Sequence, residues 1–330
     1  MALRIVFCGT PAFAVPSLRH LLAQPDFRIE AVVTQPDRPR GRGQEMAASP
    51  VKDAARAAGI PVLQPEKIKA EAAYTEIQRL APDVVVIIAY GQIISQRLID
   101  IPRLGWINLH ASLLPKYRGA APINWAILNG ETRTGLTTMQ IDAGLDTGPM
   151  LLRYETEIGR DETAPELAAR LAEAGAPLVA KSLRSLDSGA IRAIRQDAAR
   201  ATFAPPLKKN DGLIEWELSA EYIYNRIRGL QPWPGAFTSF RGKSCQIWGK
   251  PLSVEEFFQE QGQLWLGSPA PRSPLPPPGT IRVVGSRTLV RCGDTGALRL
   301  EFVQLEGRKR VTAQEFANGA RLAAGERFGD

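Results

Sequence analysis

Histidine and cysteine are scarce in this chain of 330 residues, which contains two histidines and three cysteines. The cysteines, Cys8, Cys245 and Cys292, are far apart and form no C-x-x-C pair. Their spacing indicates neither a zinc cluster nor a disulfide framework and is typical of a reducing compartment. Any catalytic imidazole must come from His20, which falls in a predicted surface helix, or from His110. We therefore favour His110.

Long apolar runs and nucleotide-binding glycine motifs are also missing. No segment approaches the length of a membrane span, and residues 1–13 do not resemble a signal peptide, so we expect a cytoplasmic protein without a membrane partner. The motif G-x-x-x-x-G-K-[ST] is absent, which counts against ATP binding. The first strand-like run is followed by C-G-T-P-A-F rather than G-x-G-x-x-G. A nicotinamide dehydrogenase, which should bind its dinucleotide at Gly9, is therefore disfavoured.

The composition is that of a folded, basic protein. Hydrophobic residues make up 44% of the chain, and 41 Lys and Arg against 34 Asp and Glu give a formal net charge of +7. A chain of this length favours two domains. The positive charge moderately favours a polyanionic partner such as nucleic acid.

Residues 1–187 alternate between strand-like and helix-like segments. The run 83–89 (DVVVIIA) has no polar alternation, as expected for a central parallel strand buried on both faces. A helix is predicted from Ser49-Pro50 to Gly59, because serine suits the N-cap and proline the first turn. The other predicted strands are residues 3–8, 29–34, 61–63 and 104–109. This order predicts an α/β fold with an open, Rossmann-like, mostly parallel sheet.

The rest of the chain has a different pattern. Residues 188–207 are polar and broken by Pro205 and Pro206, so we interpret them as a linker. After one helix at 219–229, short strands with frequent turns predict a small β-barrel, and the Pro-rich segment 268–279 is a predicted surface loop. The strands are predicted at residues 212–216, 236–241, 244–248, 279–284, 288–292 and 297–305.

Three polar residues stand where a parallel sheet would place a ligand, beyond the carboxyl ends of its strands. Asn108 and His110 are two positions apart, so their side chains face the same way, and Asp146 lies in the Gly-rich acidic loop 142–148. Each residue taken singly is more often structural. Together, an amide, an imidazole and a carboxylate suit acyl transfer to an amine. Ser112 is a weaker candidate for a nucleophile, because no G-x-S-x-G motif surrounds it.

Asn108, His110 and Asp146, together with residues 112–115 (SLLP) and 117–122 (YRGAAP), resemble the signature of formyltransferases that use 10-formyltetrahydrofolate. Further motifs are similar to the branch of that family that formylates methionyl-tRNA, and the resemblance covers nearly the whole chain. These motifs are residues 7–13, 34–39, 41–43, 49–52, 89–91 and 232–234.

The resemblance implies a catalytic domain over residues 1–187 and an OB-like, tRNA-binding domain over 208–330. It implies transfer of a formyl group from 10-formyltetrahydrofolate to the α-amino group of methionine on initiator tRNA, in support of translation initiation. Asn108 and His110 would contact the oxygen of the tetrahedral intermediate. Asp146 would hold His110 in a useful protonation state and assist removal of the amine proton. No metal is required, and we expect a monomer.

The resemblance also implies binding residues. For the folate these are Ser112, Leu113, Leu114, Pro115, Tyr90 and Ile93, with ordinary core packing an even alternative for the last two. For tRNA they are Arg38, Arg40 and Arg42 in the loop 35–48, and Lys208, Lys209, Arg308, Lys309 and Arg310 in the second domain. The family commonly has lysines just after the G-R-G motif at 41–43, whereas this chain has Gln44, Glu45 and Met46 there.

Two alternatives stay open at this point. A formyltransferase of the same fold acting on glycinamide ribonucleotide or an amino-sugar nucleotide would share the catalytic trio, and only the arginine-bearing loop and the basic second domain favour tRNA over it. A non-catalytic RNA-binding protein would tolerate changes at Asn108, His110 and Asp146 without losing activity.

Overall fold

The computed structural model describes residues 2–40, 45–252, 276–293 and 296–329. The chain divides into two compact units. Unit 1 comprises Met1–Ile123, Arg133–Ile158 and Glu166–Pro206, and unit 2 comprises Asn124–Thr132, Gly159–Pro165 and Leu207–Asp330. Residues 188–206, most of the segment interpreted as a linker, are grouped with unit 1. The domain boundaries themselves stay predictions.

Most strands of unit 1 form one large sheet. In chain order the strands are β1 (Leu3–Gly9), β2 (Phe27–Val33), β3 (Arg38–Arg40), β4 (Glu45–Ala47), β5 (Val62–Leu63), β6 (Val84–Ile88), β7 (Trp106–His110), β8 (Arg118–Gly119), β9 (Arg133–Gln140), β10 (Met150–Glu157) and β11 (Phe203–Ala204). Seven of them make a sheet in the order β10-β9-β7-β6-β1-β2-β5. Its strands from β7 to β5 run parallel, whereas β9 and β10 pair antiparallel at one edge.

The strand at the middle of this sheet has the burial that its sequence predicts. All five residues of β6 are buried, because its parallel neighbours and the layers on both faces leave no solvent-facing side. Since β7, β6 and β1 are parallel neighbours, their carboxyl ends at His110, Ile88 and Gly9 lie at the same edge of the sheet. This edge carries the predicted site.

Two small sheets accompany the large one. Strands β3 and β4 form an antiparallel hairpin, so the predicted loop 35–48 has regular structure at its base. Strand β11, from the segment interpreted as a linker, pairs in parallel with β8 close to the predicted site. Residues 203 and 204 of this segment therefore pair with unit 1 next to Gly119.

The described helices are α1 (Val15–Leu22), α2 (Pro50–Ala57), α3 (Glu71–Leu80), α4 (Gln96–Ile99), α5 (Pro122–Leu128), α6 (Ala164–Asp187), α7 (Ala220–Gly229) and α8 (Ala313–Ala320). Helix α2 begins as predicted, since the hydroxyl of Ser49 accepts a hydrogen bond from the backbone N–H of Lys52 at 3.1 Å and Pro50 occupies the first turn. Helix α7 likewise begins after Ser219, whose side chain caps Tyr222. Within the described ranges, no helix is long and apolar enough to cross a bilayer.

Unit 2 is built on an antiparallel sheet. Its strands are β12 (Phe237–Phe240), β13 (Lys243–Pro251), β14 (Ile281–Val284), β15 (Arg287–Arg291), β16 (Ala297–Leu305) and β17 (Val311–Thr312). They pair in the order β12-β13-β16-β15-β14, and β17 joins β16. Trp216, Phe240, Phe316 and Phe328 pack in its core by stacked and edge-to-face contacts, with ring centroids 5.1 to 6.0 Å apart. A mostly parallel sheet in one unit and a separate antiparallel sheet in the other confirm the predicted fold class.

Two of the predictions for unit 2 concern residues 212–216 and residues 268–279. The predicted strand at 212–216 is wrong, because only Leu213 makes an isolated bridge, to Phe237, and a 3-10 turn at Lys209–Gly212 precedes it. Of the predicted Pro-rich loop 268–279, residues 268–275 lie outside the described residues.

Candidate active site

His110 ends strand β7 and has both ring nitrogens engaged. Its Nε2 atom lies 2.9 Å from the carbonyl oxygen of Tyr117. A carbonyl can only accept, so Nε2 carries the hydrogen and donates it. Its Nδ1 atom faces Oδ2 of Asp146 at 3.6 Å, and the imidazole is almost fully buried. The tautomer of His110 is therefore fixed by the backbone of Tyr117, and the remaining nitrogen faces a carboxylate.

Asp146 lies in the loop between β9 and β10, in a left-handed backbone conformation with φ of 50°. Its Oδ2 atom accepts a hydrogen bond from the backbone N–H of Gly119 at 2.8 Å. The side chain of Asp146 is 14% exposed, so the carboxylate is partly screened from solvent. The stretch from Tyr117 to Gly119 thus contacts both members of the His110–Asp146 pair.

Asn108 is the third predicted member and lies on the same strand as His110. Both belong to β7, where Asn108 pairs in register with Ile87 of β6 and Met139 of β9. Alternation along a strand places the side chains of Asn108 and His110 on one side of the sheet. Asn108 is half-buried, whereas Ile107 and Leu109 beside it are buried. A half-buried amide at this position is available to a ligand.

The segment 112–115, predicted to line the folate pocket, is tied to strand β9 by Thr137. The buried hydroxyl of Thr137 donates to the carbonyl of Ser112 at 2.7 Å and accepts from the N–H of Leu114 at 3.1 Å. Ser112 is fully buried and its own hydroxyl donates to the carbonyl of Lys116, which does not suit a nucleophile. Leu114 is also fully buried, whereas Leu113 and Pro115 are half-buried. Of the four, Leu113 and Pro115 therefore retain exposed side-chain surface.

Tyr90 and Ile93 follow β6 but have opposite environments. Tyr90 is 2% exposed and packs in the core with Cys8, Ile87 and Trp106, and burial raises the pKa of its phenol. Its hydroxyl has no hydrogen-bond partner among the described residues. Ile93 is 90% exposed. The carbonyl of Tyr90 accepts hydrogen bonds from the side chains of Thr10 and Gln35.

A cavity of about 840 Å³ opens in unit 1 beside the β3–β4 hairpin. Its lining includes Thr10, Gln35, Arg38, Lys67, Lys69 and Ile93. Arg38, Lys67 and Lys69 are exposed, so the cavity has positive charge on its walls. Lys67 and Lys69 were not found from the sequence, because isolated lysines carry no motif. Arg42 and the side chain of Arg40 lie outside the described residues.

The base of the hairpin is held by a polar cluster. Lys52, 6% exposed, forms an ion pair with Asp37, and Gln64 donates to the same carboxylate at 2.8 Å. The hydrogen bonds from Lys52 and Gln64 lower the pKa of the Asp37 carboxyl. Thr34 and Ser49 are joined through their hydroxyls at 2.7 Å. These contacts lie directly before Arg38, the first residue of β3.

The predicted basic residues of unit 2 are exposed. Arg310 packs over the rings of Trp248 and Phe302, with its guanidinium carbon 5.2 and 5.0 Å from their centroids. The others are Lys208, Lys209, Arg308 and Lys309. No group of three or more His, Cys, Asp or Glu side chains within the described part of the chain has a geometry suited to a metal ion.

Comparison with known proteins identifies the family. Residues 3–183 match the model of the family described as "Formyl transferase", and residues 206–321 match that of the "Formyl transferase, C-terminal domain". The chain belongs to the formyl transferase family. This formyl transferase is 51% identical to a methionyl-tRNA formyltransferase of Solibacter usitatus, with 99% of each chain covered. It is also 51% identical to a methionyl-tRNA formyltransferase of Koribacter versatilis, with 98% of each chain covered.

Among solved structures, the fold of this formyl transferase is similar to that of WlaRD, a sugar 3N-formyl transferase crystallised with dTDP and 5-N-formyl-THF. The TM-score is 0.65 at 19% identity, and the match covers 94% of this chain and 100% of the other. At this identity the likeness concerns the fold alone. The family prediction made from the motifs around Asn108, His110 and Asp146 is confirmed.

Proposed function

We propose that this formyl transferase moves the formyl group of 10-formyltetrahydrofolate to the α-amino group of methionine on initiator methionyl-tRNA, in support of translation initiation. The observation that carries the proposal is identity of 51% over 99% of the chain, second unit included, with a protein named for that reaction. A formyl transferase acting on a small acceptor would share the proposed trio, so the trio alone does not choose the substrate.

For the chemistry, we assign the central roles to Asn108, His110 and Asp146. The α-amine attacks the formyl carbon and a tetrahedral intermediate forms. Asn108 and His110 stabilise its oxygen, and the C–N10 bond then breaks as N10 takes up a proton. The formyl group is already activated by its attachment to N10, so the site acts mainly through positioning and preorganised polarity.

The hydrogen bond from His110 to Tyr117 refines this assignment. Because Nε2–H is committed to the carbonyl of Tyr117, the nitrogen left to face the reacting groups is Nδ1, beside Asp146. A hydrogen on Nδ1 would let this nitrogen donate to the oxygen of the intermediate. Asp146 also accepts the proton that the attacking amine releases, directly or through water.

For the folate, we propose that Leu113, Pro115 and Ile93 provide apolar surface. They retain exposed side-chain area, whereas Ser112 and Leu114 are buried and act by holding the segment to β9. Tyr90 is buried, so we propose that it contributes through its carbonyl, which accepts hydrogen bonds from Thr10 and Gln35, two residues that line the cavity.

For the tRNA, we propose that the acceptor end contacts the basic hairpin and cavity of unit 1. Arg38, Lys67 and Lys69 supply positive charge to phosphates, as do Arg40 and Arg42 of the hairpin segment. In unit 2 the exposed basic residues add further phosphate contacts, and Arg310 with Trp248 and Phe302 offers a surface on which a base can stack. The unit 2 residues proposed for phosphate contact are Lys208, Lys209, Arg308 and Lys309.

The proposal is tested by incubating the protein with 10-formyltetrahydrofolate and initiator methionyl-tRNA and assaying formyl-methionine. Parallel reactions contain glycinamide ribonucleotide or an amino-sugar nucleotide in place of tRNA. Transfer to tRNA alone is expected. Transfer only to one of the small acceptors would contradict the tRNA assignment, and no transfer to any acceptor despite folate binding would contradict the enzymatic assignment.

We further propose that the protein acts in the cytoplasm as a monomer. The three cysteines are far apart and form no C-x-x-C pair, which suits a reducing compartment such as the cytoplasm, and the monomer is the expectation stated above with the family resemblance. Light scattering after gel filtration is expected to give a mass near 36.0 kDa, and a mass near twice that value would contradict the monomer.

A further inference from the structure

Gln196 lies 50 residues beyond Asp146 in the sequence, yet its side chain contacts the loop that carries that carboxylate. The Nε2 atom of Gln196 donates to the carbonyl of Asp146 and to the carbonyl of Gly148, each at 2.8 Å. A primary amide has two N–H groups, so both are used. Gln196 therefore holds the backbone on both sides of Thr147.

Arg118 fixes the orientation of this amide. Its Nε and one terminal nitrogen both donate to Oε1 of Gln196, at 3.0 and 2.7 Å. Since a guanidinium has only donors, the oxygen of Gln196 must face Arg118 and the nitrogen must face the loop. Arg118 is 6% exposed and belongs to β8, the strand whose next residue, Gly119, donates to Oδ2 of Asp146.

The loop needs such support because its backbone is unusual at Asp146. The left-handed conformation there, with φ of 50°, is uncommon for a residue other than glycine and persists where surrounding contacts determine it. Gln196 holds the carbonyl of Asp146, and Gly119 holds its carboxylate. With either contact removed, the carboxylate loses one of the two restraints that keep Oδ2 beside Nδ1 of His110.

We propose that Gln196 is a positioning residue for formyl transfer, oriented by Arg118, which keeps the carboxylate of Asp146 directed at His110. The proposal rests on the proposed function, since it assigns Asp146 to catalysis. It gives a role in the site to a segment interpreted from sequence as a linker.

The test compares Gln196→Leu with wild type and with Gln78→Leu, a control on the exposed face of α3. Gln196→Leu is expected to lower kcat for formylation of methionyl-tRNA by about 10- to 100-fold, with KM for both substrates changed by less than about threefold, because orientation is lost while binding surfaces stay. Gln78→Leu is expected to match wild type. Equal kcat for Gln196→Leu and wild type would overturn the proposal, whereas an inactive wild type would contradict the proposed function instead.

A second variant separates positioning from folding. Gln196→Glu keeps the shape and the acceptor for Arg118, but it has no N–H for the two carbonyls. We expect it to fold and to lose kcat as Gln196→Leu does. Activity of Gln196→Glu near wild type would overturn the assignment of the two carbonyl contacts.

A spectroscopic measurement tests the same idea without activity. The chain has only two histidines, so with the His20→Ala variant as reference, the ring ¹⁵N signals of His110 are assigned directly. In Gln196→Leu the Nδ1 signal is expected to shift, because it faces Asp146, while the Nε2 signal stays, because its partner is Tyr117. An unchanged Nδ1 signal would overturn the proposal whatever the kinetics.

Discussion

The Nδ1 atom of His110 lies 3.6 Å from Oδ2 of Asp146, although the two residues stand on different elements of unit 1. At this separation the imidazole faces the carboxylate but lies beyond the length of a direct hydrogen bond. The same Oδ2 atom is already bonded to the backbone N–H of Gly119. The carboxylate is therefore anchored by the backbone and still faces the imidazole, so the pair exists before substrate enters.

Replacing His110 by alanine is expected to slow formyl transfer by at least about 100-fold, because a positioned proton donor and acceptor is lost. His20→Ala is the matched control, since it removes the only other imidazole in the chain and lies on α1. Single-turnover assays of formyl-methionine measure the effect. Near-normal turnover of His110→Ala would remove His110 from the mechanism.

Asp146→Asn is expected to reduce kcat by about 100-fold, the lower end of the usual range for a lost acid–base group. The amide can still accept from Gly119 and tolerates a left-handed backbone, so the fold should persist, but the negative charge beside His110 is gone. Asp142→Asn in the same loop is the control, because an amide oxygen can replace its hydrogen bonds from Gly144 and Thr147. Equal losses in both variants would indicate a loop effect and not a role for the charge.

Gly148→Ala is expected to destabilise unit 1 and to lower activity. A Cβ at this position would lie 1.7 Å from the carbonyl oxygen of Gln140, so the backbone must move and the adjoining Asp146 loop with it. Gly319→Ala is the control, because nothing lies within 4 Å of its Cβ, and inside α8 it should stabilise by about 0.5 to 1 kcal/mol. Thermal unfolding compares the two. An unchanged melting temperature for Gly148→Ala would contradict the packing described here.

Removing the charges of Lys67 and Lys69 is expected to weaken methionyl-tRNA binding while leaving folate binding unchanged. Each lost phosphate contact should also reduce the slope of log affinity against log salt by about one. Lys181→Ala, an exposed lysine on α6, is the control. Binding isotherms at several salt concentrations measure both effects. If the variant that lacks both lysine charges kept the wild-type slope of log affinity against log salt, the tRNA phosphates would not contact this cavity.

We expect the stability of unit 2 to fall at low pH, because the carboxylate of Asp161 becomes protonated there. Hydrogen bonds from Lys250 and Tyr224 lower the pKa of the Asp161 carboxyl below its ordinary value of 3.8. The ionised carboxylate of Asp161 therefore stabilises the folded unit fully at pH values above 3.8, and this stabilisation is lost as the pH falls through the lowered pKa. Melting temperatures from pH 5 downward should converge between wild type and Asp161→Asn. Glu217→Gln, with an exposed side chain, is the control and should run parallel to wild type. A constant gap between wild type and Asp161→Asn would contradict the prediction.

The parallel half of the large sheet was predictable because its strands are continuous apolar runs. The residues of β6 are all buried, and such a run has few other folds available. Strands β9 and β10 were not predicted, since their polar residues hide the pattern in single-sequence reading. Thr134, Thr137 and Thr138 of β9 are in fact buried. At 212–216 a strand was predicted where none forms. Its apolar residues Ile214 and Trp216 pack in the core, and only the isolated bridge of Leu213 pairs with another strand.

The proximity of His110 and Asp146 was predictable from motif and placement, whereas the contacts of Gln196 and Arg118 near Asp146 were not. Gln196 and Arg118 are 78 residues apart, and each is an ordinary polar residue in the sequence. Their roles depend on the folded chain, in which Gln196 contacts the loop of Asp146 and Arg118 contacts Gln196. Lys67 and Lys69 were missed for the same reason, because a wall of a cavity is a property of the folded chain.

The hydroxyl of Thr137 limits how the length of this chain can change between His110 and Tyr117. One oxygen atom both donates to Ser112 and accepts from Leu114, so it clamps the backbone at two points within three residues. Insertion or deletion of a residue between His110 and Tyr117 would displace one clamp or the other and carry the carbonyl of Tyr117 away from Nε2. The spacing from His110 to Tyr117 is therefore a fixed dimension of the site, while changes in chain length must be accommodated elsewhere.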